Sequence, residues 1–112
     1  MPLSGPSPTV PVCLTVSAAD TTGATLAQAD LKTFTALGTY GVMITTGVVA
    51  DTFTDHEAGF ALPESRLRDA LEKLDECFAL QAVKVGMLLT PGQIRVLGRW
   101  LRERPTLPVV VD

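Results

Sequence analysis

Residues 15–34 read TVSAADTTGATLAQADLKTF (Thr15 to Phe34), and the fold turns on how that stretch divides. An apolar, β-branched run gives way after Ser17 to small and polar residues, and a helical pattern begins near Leu26. Strand, loop and helix in that order is the layout in which glycine-rich loops hold phosphates or close-fitting ligands. Here the loop has one glycine, Gly23. In the helix, Leu26, Asp30, Phe34 and Leu37 fall on one row, with Ala27 and Leu31 beside it. Asp30 is therefore a carboxylate in an apolar row, turned inward near a helix N-terminus. Burying that charge alone costs several kcal/mol. Either an internal hydrogen bond ties it to the rest of the chain, or an amide or amine of a small ligand meets it.

The same alternation continues on both sides. Val10 to Ser17 reads as the first buried strand, and Gly38 ends the first helix as a C′ residue would. Val42 to Ala50 is a second buried strand with a weak point at Gly47. DTFTDHEAG (51–59) is a polar loop, and FALP (60–63) a short edge strand. Pro63 opens a second helix with Leu67, Ala70, Leu71, Leu74 and Phe78 inward. Ala82 to Leu89 reads as a third long strand. Thr90 as N-cap, Pro91 at the first helical position and Gln93 as capping-box partner start a third helix. Its inner face is expected at Ile94, Leu97 and Leu101, with Trp100 at the margin. Leu107 to Asp112 forms the last strand.

Continuous apolar strands alternating with amphipathic helices specify an α/β fold, a parallel sheet covered by helices. Residues 1–9, with three prolines, are expected to form a flexible leader, and 10–112 a single, partial α/β domain. The last strand has no helix after it to cover its apolar surface, so further chain or a partner is expected there.

Composition narrows the functions. The 112 residues are 46% hydrophobic with a net charge of −3, which makes no electrostatic case for nucleic acid or an anionic membrane. No apolar run approaches the roughly 20 residues of a membrane helix, and the N-terminus lacks the basic charge of a signal peptide. A cytoplasmic protein is expected. Cys13 and Cys77 make neither a zinc pattern nor a disulfide framework, so buried free thiols are expected.

Open α/β sheets take ligands outside the carboxyl ends of their strands. The loop Ala18 to Thr25, Asp51, Met87 to Thr90, and Asp112 converge there. Lys84, between Val83 and Val85, is expected to pair with a carboxylate or reach the rim. Met87 is either core or a wall for a flat ring. Asp51, Asp55, His56 and Glu57 carry metal-capable atoms without ligand spacing, and no metal is expected. One histidine and no nucleophile elbow leave hydrolase chemistry unsupported.

QADLKTFTALGTYGV (28–42), followed by ITTGVVA, VKVGML (83–88) and PVVVD, closely resembles the hydroxymethylpyrimidine/phosphomethylpyrimidine kinases of thiamine biosynthesis, members of the ribokinase-like superfamily. The resemblance covers almost the whole chain after the leader and matches only the N-terminal half of such a kinase. It implies a ribokinase-like fold, present as that half, and ATP-dependent phosphorylation of hydroxymethylpyrimidine and its phosphate. A related pyridoxine-type kinase, or a non-catalytic binding or oligomerisation module derived from one, are the alternatives. The resemblance gives Asp30 the pyrimidine's exocyclic amine and packs Met87 on the ring. It puts Ala18, Ala24 and Leu26 where the family's substrate loop has glycines, and Asp51 where it has a glutamine. ATP and Mg2+ are implied as cofactors, with their sites and the catalytic base in the C-terminal half. No catalytic residue is therefore assigned, and no kinase activity is expected of the 112 residues alone. A small-molecule pyrimidine is the implied partner, with a second copy or the missing half covering the last strand.

Overall fold

Alternation along the first strand sets the layers. In β1 (Val12–Asp20) Leu14, Val16 and Ala18 are fully buried on one face, while Thr15 and Ser17, equally buried, point to the other. A strand covered on both faces belongs at the centre of a sheet, and β1 lies there. The computed structural model describes residues 5–7, 9–49 and 59–112. After β1 come α1 (Leu26–Ala36), β2 (Tyr40–Val49), β3 (Phe60–Ala61), α2 (Glu64–Cys77), β4 (Leu80–Val85), α3 (Pro91–Arg102) and β5 (Val109–Val111). The sheet order is β3-β2-β1-β4-β5. All pairs are parallel except β2 with the two-residue edge strand β3.

α1 packs on β1 and β2 from one face, its Leu31 and Phe34 closing on Gly41. α2 and α3 cover the opposite face, where Leu67, Leu71, Leu97 and Trp100 meet Leu14, Val16, Ile44, Val83 and Val85. Each fully buried leucine of this cluster contributes about 1.5–3 kcal/mol relative to exposure. The two helices are joined at their ends by Asp75, which accepts hydrogen bonds from Trp100 Nε1 (3.0 Å) and from Arg104, whose guanidinium lies 4.1 Å over the indole. A cleft of about 570 Å³ beside them, lined by Asp75, Trp100, Arg104 and Pro105 among others, opens at the amino ends of β4 and β5. Its charged groups are already paired with one another.

The structure departs from the sequence reading in several places. β1 runs on to Asp20, so Ala18, expected in the loop, lies buried in the strand. The third strand stops at Val85; Gly86 N still donates to Val16 O (2.9 Å), but beyond it the backbone bonds to side chains, Met87 N to Ser17 Oγ (2.9 Å) and Leu89 N to Gln93 Oε1 (2.8 Å). Gln93 is thus not a reciprocal capping-box residue, although Thr90 does cap its backbone N–H (3.1 Å). The buried face of α3 runs through Gln93, Leu97 and Trp100, and Ile94 is 57% exposed. Leu37 follows the end of α1, past the sheet beneath it, and is 74% exposed. Cys13 and Cys77 are free, but Cys77 is exposed and Cys13 only half-buried. Among the described residues no helix is long and apolar enough to cross a membrane.

Candidate functional site

From β1 the chain runs through α1 to β2 on one side, then returns to β4 on the other side of β1. Strand order therefore reverses at β1, and the crevice beyond the carboxyl ends of β1 and β4 is where such sheets bind ligands. Two segments form its walls. One is the loop from Asp20 to Thr25, and the other is Gly86 to Leu89.

The first wall is organised from within. The Asp20 carboxylate accepts hydrogen bonds from Thr22 N (3.1 Å), Thr22 Oγ1 (2.7 Å), Thr25 N (3.1 Å) and Thr25 Oγ1 (2.8 Å). These donors, Thr22 first, lower its pKa to about 2 against the opposing effect of burial. Gln28 on α1 grips the same residue's backbone, accepting from Asp20 N (2.9 Å) and donating to Asp20 O (2.8 Å). Gly23 takes a positive φ of 69°, and Lys32 Nζ donates to its carbonyl at 2.9 Å. Leu26 also stands at positive φ, 59°, which costs a residue with a Cβ about 1–2 kcal/mol. It is one of the positions where the substrate loop of the kinases resembled has glycine.

The second wall is pinned to both neighbouring strands. Gly86 N donates to Val16 O (2.9 Å), Met87 N to Ser17 Oγ, and Thr46 Oγ1 to Met87 O (2.8 Å). Gln93, fully buried, fixes the base of this wall by donating to Thr46 O (2.8 Å) and Leu62 O (2.9 Å).

Asp30 lies in the second turn of α1, facing the sheet. Thr15 Oγ1 donates to its Oδ2 at 2.6 Å and Lys84 Nζ to its Oδ1 at 2.7 Å. Thr15 and Lys84 are register partners on β1 and β4, so both reach the carboxylate from one face of the sheet. Lys84 Nζ also lies 3.6 Å from Asp112 Oδ2 at the tip of β5. Thus the structure brings Asp30 and Lys84 together and puts Met87 on the crevice wall. Ala18 is fully buried in β1. Asp51, like Asp55, His56 and Glu57, lies outside the described residues.

Sequence reasoning missed Thr15 as a partner of Asp30, and Asp20 with Gln28 as organisers of the loop. Polar residues inside two apolar strands, Thr15 in β1 and Lys84 in β4, were the available signal for a buried carboxylate between them.

Among the described residues, the loop from Asp20 to Thr25 has its donors engaged within the chain and holds none out for a nucleotide. Lys32, on α1, is spent on Gly23 O, the N–H groups of Thr22, Gly23 and Thr25 and the hydroxyls of Thr22 and Thr25 serve Asp20, and Ala24 N donates to Thr22 Oγ1. Among the described residues no group of three or more His, Cys, Asp or Glu stands together to hold a metal.

The fold and its matches among solved structures define the class: a ribokinase-like vitamin kinase scaffold. The phosphomethylpyrimidine kinase of Clostridium difficile superposes with a TM-score of 0.85 at 32% identity, over 91% of this chain and 44% of that one. Pyridoxal kinase from Staphylococcus aureus, solved with AMP-PCP and pyridoxal, gives 0.80 at 33% identity, over 92% and 38%. The sequence profile of the family described as phosphomethylpyrimidine kinase matches residues 20–112. The chain belongs to that family. The hydroxymethylpyrimidine/phosphomethylpyrimidine kinase of Streptomyces coelicolor is 34% identical over 112 residues, 98% of this chain and 41% of that one. The chain thus spans less than half the length of these relatives.

Proposed function

We propose that the chain is the substrate-recognising portion of a cytoplasmic, ATP-dependent kinase of hydroxymethylpyrimidine and its phosphate. Asp30 would accept a hydrogen bond from the exocyclic amine, and Met87 would flank the ring. The observation that carries this reading is the state of Asp30. Each carboxylate oxygen has one internal donor, from Thr15 or Lys84, and an ionised carboxylate accepts about four hydrogen bonds in all. Capacity for a ligand donor remains. Ala18 would act by filling space under the loop, and Asp51 would stand in for a glutamine amide. ATP and Mg2+ would be handled by the part of the relatives that this chain does not span, and turnover would require that part. The exposed valines of β5 would lie under it, or under a second copy of this chain.

The pyridoxal kinase likeness favours a second reading, a pyridoxal-type substrate in the same crevice. Titration calorimetry of the 112-residue chain with hydroxymethylpyrimidine and, separately, pyridoxal tests both. Pyrimidine binding that weakens about tenfold in Asp30→Ala, the order expected for a hydrogen bond to a charged group, supports the first. Pyridoxal binding alone moves the assignment to the second. Binding of neither compound by a folded chain sinks both.

A further inference from the structure

The charge of Lys84 is shared by two carboxylates from different elements. Its Nζ is 2.7 Å from Asp30 Oδ1 on α1 and 3.6 Å from Asp112 Oδ2 beyond β5. The register explains why. Lys84 pairs with Val110 on β5, so Asp112, two residues on, projects from the same face. Asp112 N donates to Val85 O at 2.9 Å, which fixes the backbone that carries the second carboxylate. Gly86, next but one to Lys84, leaves the space open: a Cβ there would lie 3.8 Å from Nζ. The side chains of Lys84 and Asp30 are 21% and 13% exposed, whereas that of Asp112 is 79% exposed. An ammonium so placed has a tight partner and a loose one.

We propose that Lys84 is a positioning residue that couples Asp30 to the tip of β5 by exchanging its ion pair between Asp30 and Asp112. This rests on the reading of Asp30 as the ligand's acceptor. A donor arriving at the second acceptor position of Asp30 Oδ1 shares that oxygen with the lysine and weakens its pairing, so Lys84 relaxes toward Asp112. Binding at Asp30 and the Lys84–Asp112 contact therefore favour each other. By linkage, whatever holds the β5 tip in place raises affinity at Asp30 by the same factor that ligand binding tightens the tip. The recognition site and the tip of β5 become parts of one equilibrium, joined through a single side chain.

Two measurements on the 112-residue chain test this, and they separate its failure from that of the function proposed above. The first needs no ligand: the Lys84 ε-methylene resonances are followed by NMR in the wild type, Asp112→Asn and Asp30→Asn. The exchange requires Lys84 to respond to both substitutions. A Lys84 signal indifferent to Asp112→Asn overturns it. The second is calorimetry with hydroxymethylpyrimidine. Asp112→Asn should weaken binding by about two- to fivefold, the range of a half-exposed ion pair, while Asp112→Glu restores it. In a Lys84→Met background the effect of Asp112→Asn should vanish. Equal weakening in both backgrounds overturns the coupling. If the NMR response is present and no variant binds the pyrimidine, the coupling stands and the substrate assignment falls.

Discussion

Ser17 and Gly86 face each other at the mouth of the crevice so closely that a Cβ on Gly86 would lie 2.4 Å from the serine Oγ and 2.8 Å from its Cβ. The serine cannot yield, because its Oγ holds Met87 N and its side chain is fully buried in β1. The glycine of this segment is therefore a packing requirement between two strands.

Gly86→Ala should accordingly cost about 1–3 kcal/mol, the usual penalty of overpacking. Gly92 is the control. A Cβ there would meet the carboxylate end of Glu64, which is exposed and can swing away. Gly92→Ala should stay within about 1 kcal/mol of the wild type. Urea denaturation of the two variants checks the contrast, and equal losses would refute it.

Acid should undo the first loop before the core. The Asp20 pKa falls from 3.8 to about 2 in the folded chain. A carboxylate depressed on folding contributes stability that is fully present above its unfolded pKa and is lost as pH falls through the folded one. The window is therefore about pH 4 down to pH 2. Melting temperatures of the wild type and Asp20→Asn should converge across it. Parallel curves would show that the threonine donors do not favour the ionised form.

Leu26 reverses the ordinary order of helix formers. At φ 59°, glycine avoids a penalty of about 1–2 kcal/mol that alanine retains. Leu26→Gly should be more stable than Leu26→Ala by about 1 kcal/mol, although the same comparison inside a helix favours alanine. Thermal denaturation of the pair decides it, and an alanine variant as stable as the glycine one would deny the strain.

Gln93 joins three segments through one amide. Gln93→Leu keeps the volume and leaves Leu89 N and Leu62 O without that partner, while Thr46 O keeps the N–H of Leu62. Each group left unpaired costs about 1–3 kcal/mol, so two of them should cost about 2 kcal/mol or more. Gln93→Glu keeps the acceptor for Leu89 N but puts a carboxylate against two carbonyls, and should fare no better. Hydrogen exchange at Leu89 should speed up in the leucine variant, and an unchanged rate would contradict the arrangement.

The periodicity of apolar residues was enough for the order of elements, the parallel sheet and the inward turn of Asp30, because those follow from which faces are apolar. It failed where a polar side chain replaced a backbone partner. Gly86 to Leu89 looks like strand, since its residues are apolar, yet the N–H groups of Met87 and Leu89 go to the side chains of Ser17 and Gln93. α3 was rotated for the same reason: hydrophobicity favoured Ile94, whereas three hydrogen bonds drew Gln93 inside. At the candidate site, Asp30 and Lys84 were each visible as charges needing partners. That they satisfy each other could not be read, since the pairing depends on the register of β1 with β4, to which no local pattern points.

The central strand is also the earliest in sequence. β2 and β3 extend the sheet to one side of β1, and β4 and β5 to the other, so every later strand adds to an edge already in place. On a ribosome, where folding proceeds from the N-terminus, the hydrogen-bonding template exists before anything that must use it. The residues that cradle Asp30 follow the same schedule: Thr15 comes with the template, the aspartate with the first helix, and Lys84 only with β4. Until that strand docks, the carboxylate has a single hydroxyl to answer it, and the lysine completes the cradle when β4 pairs with β1.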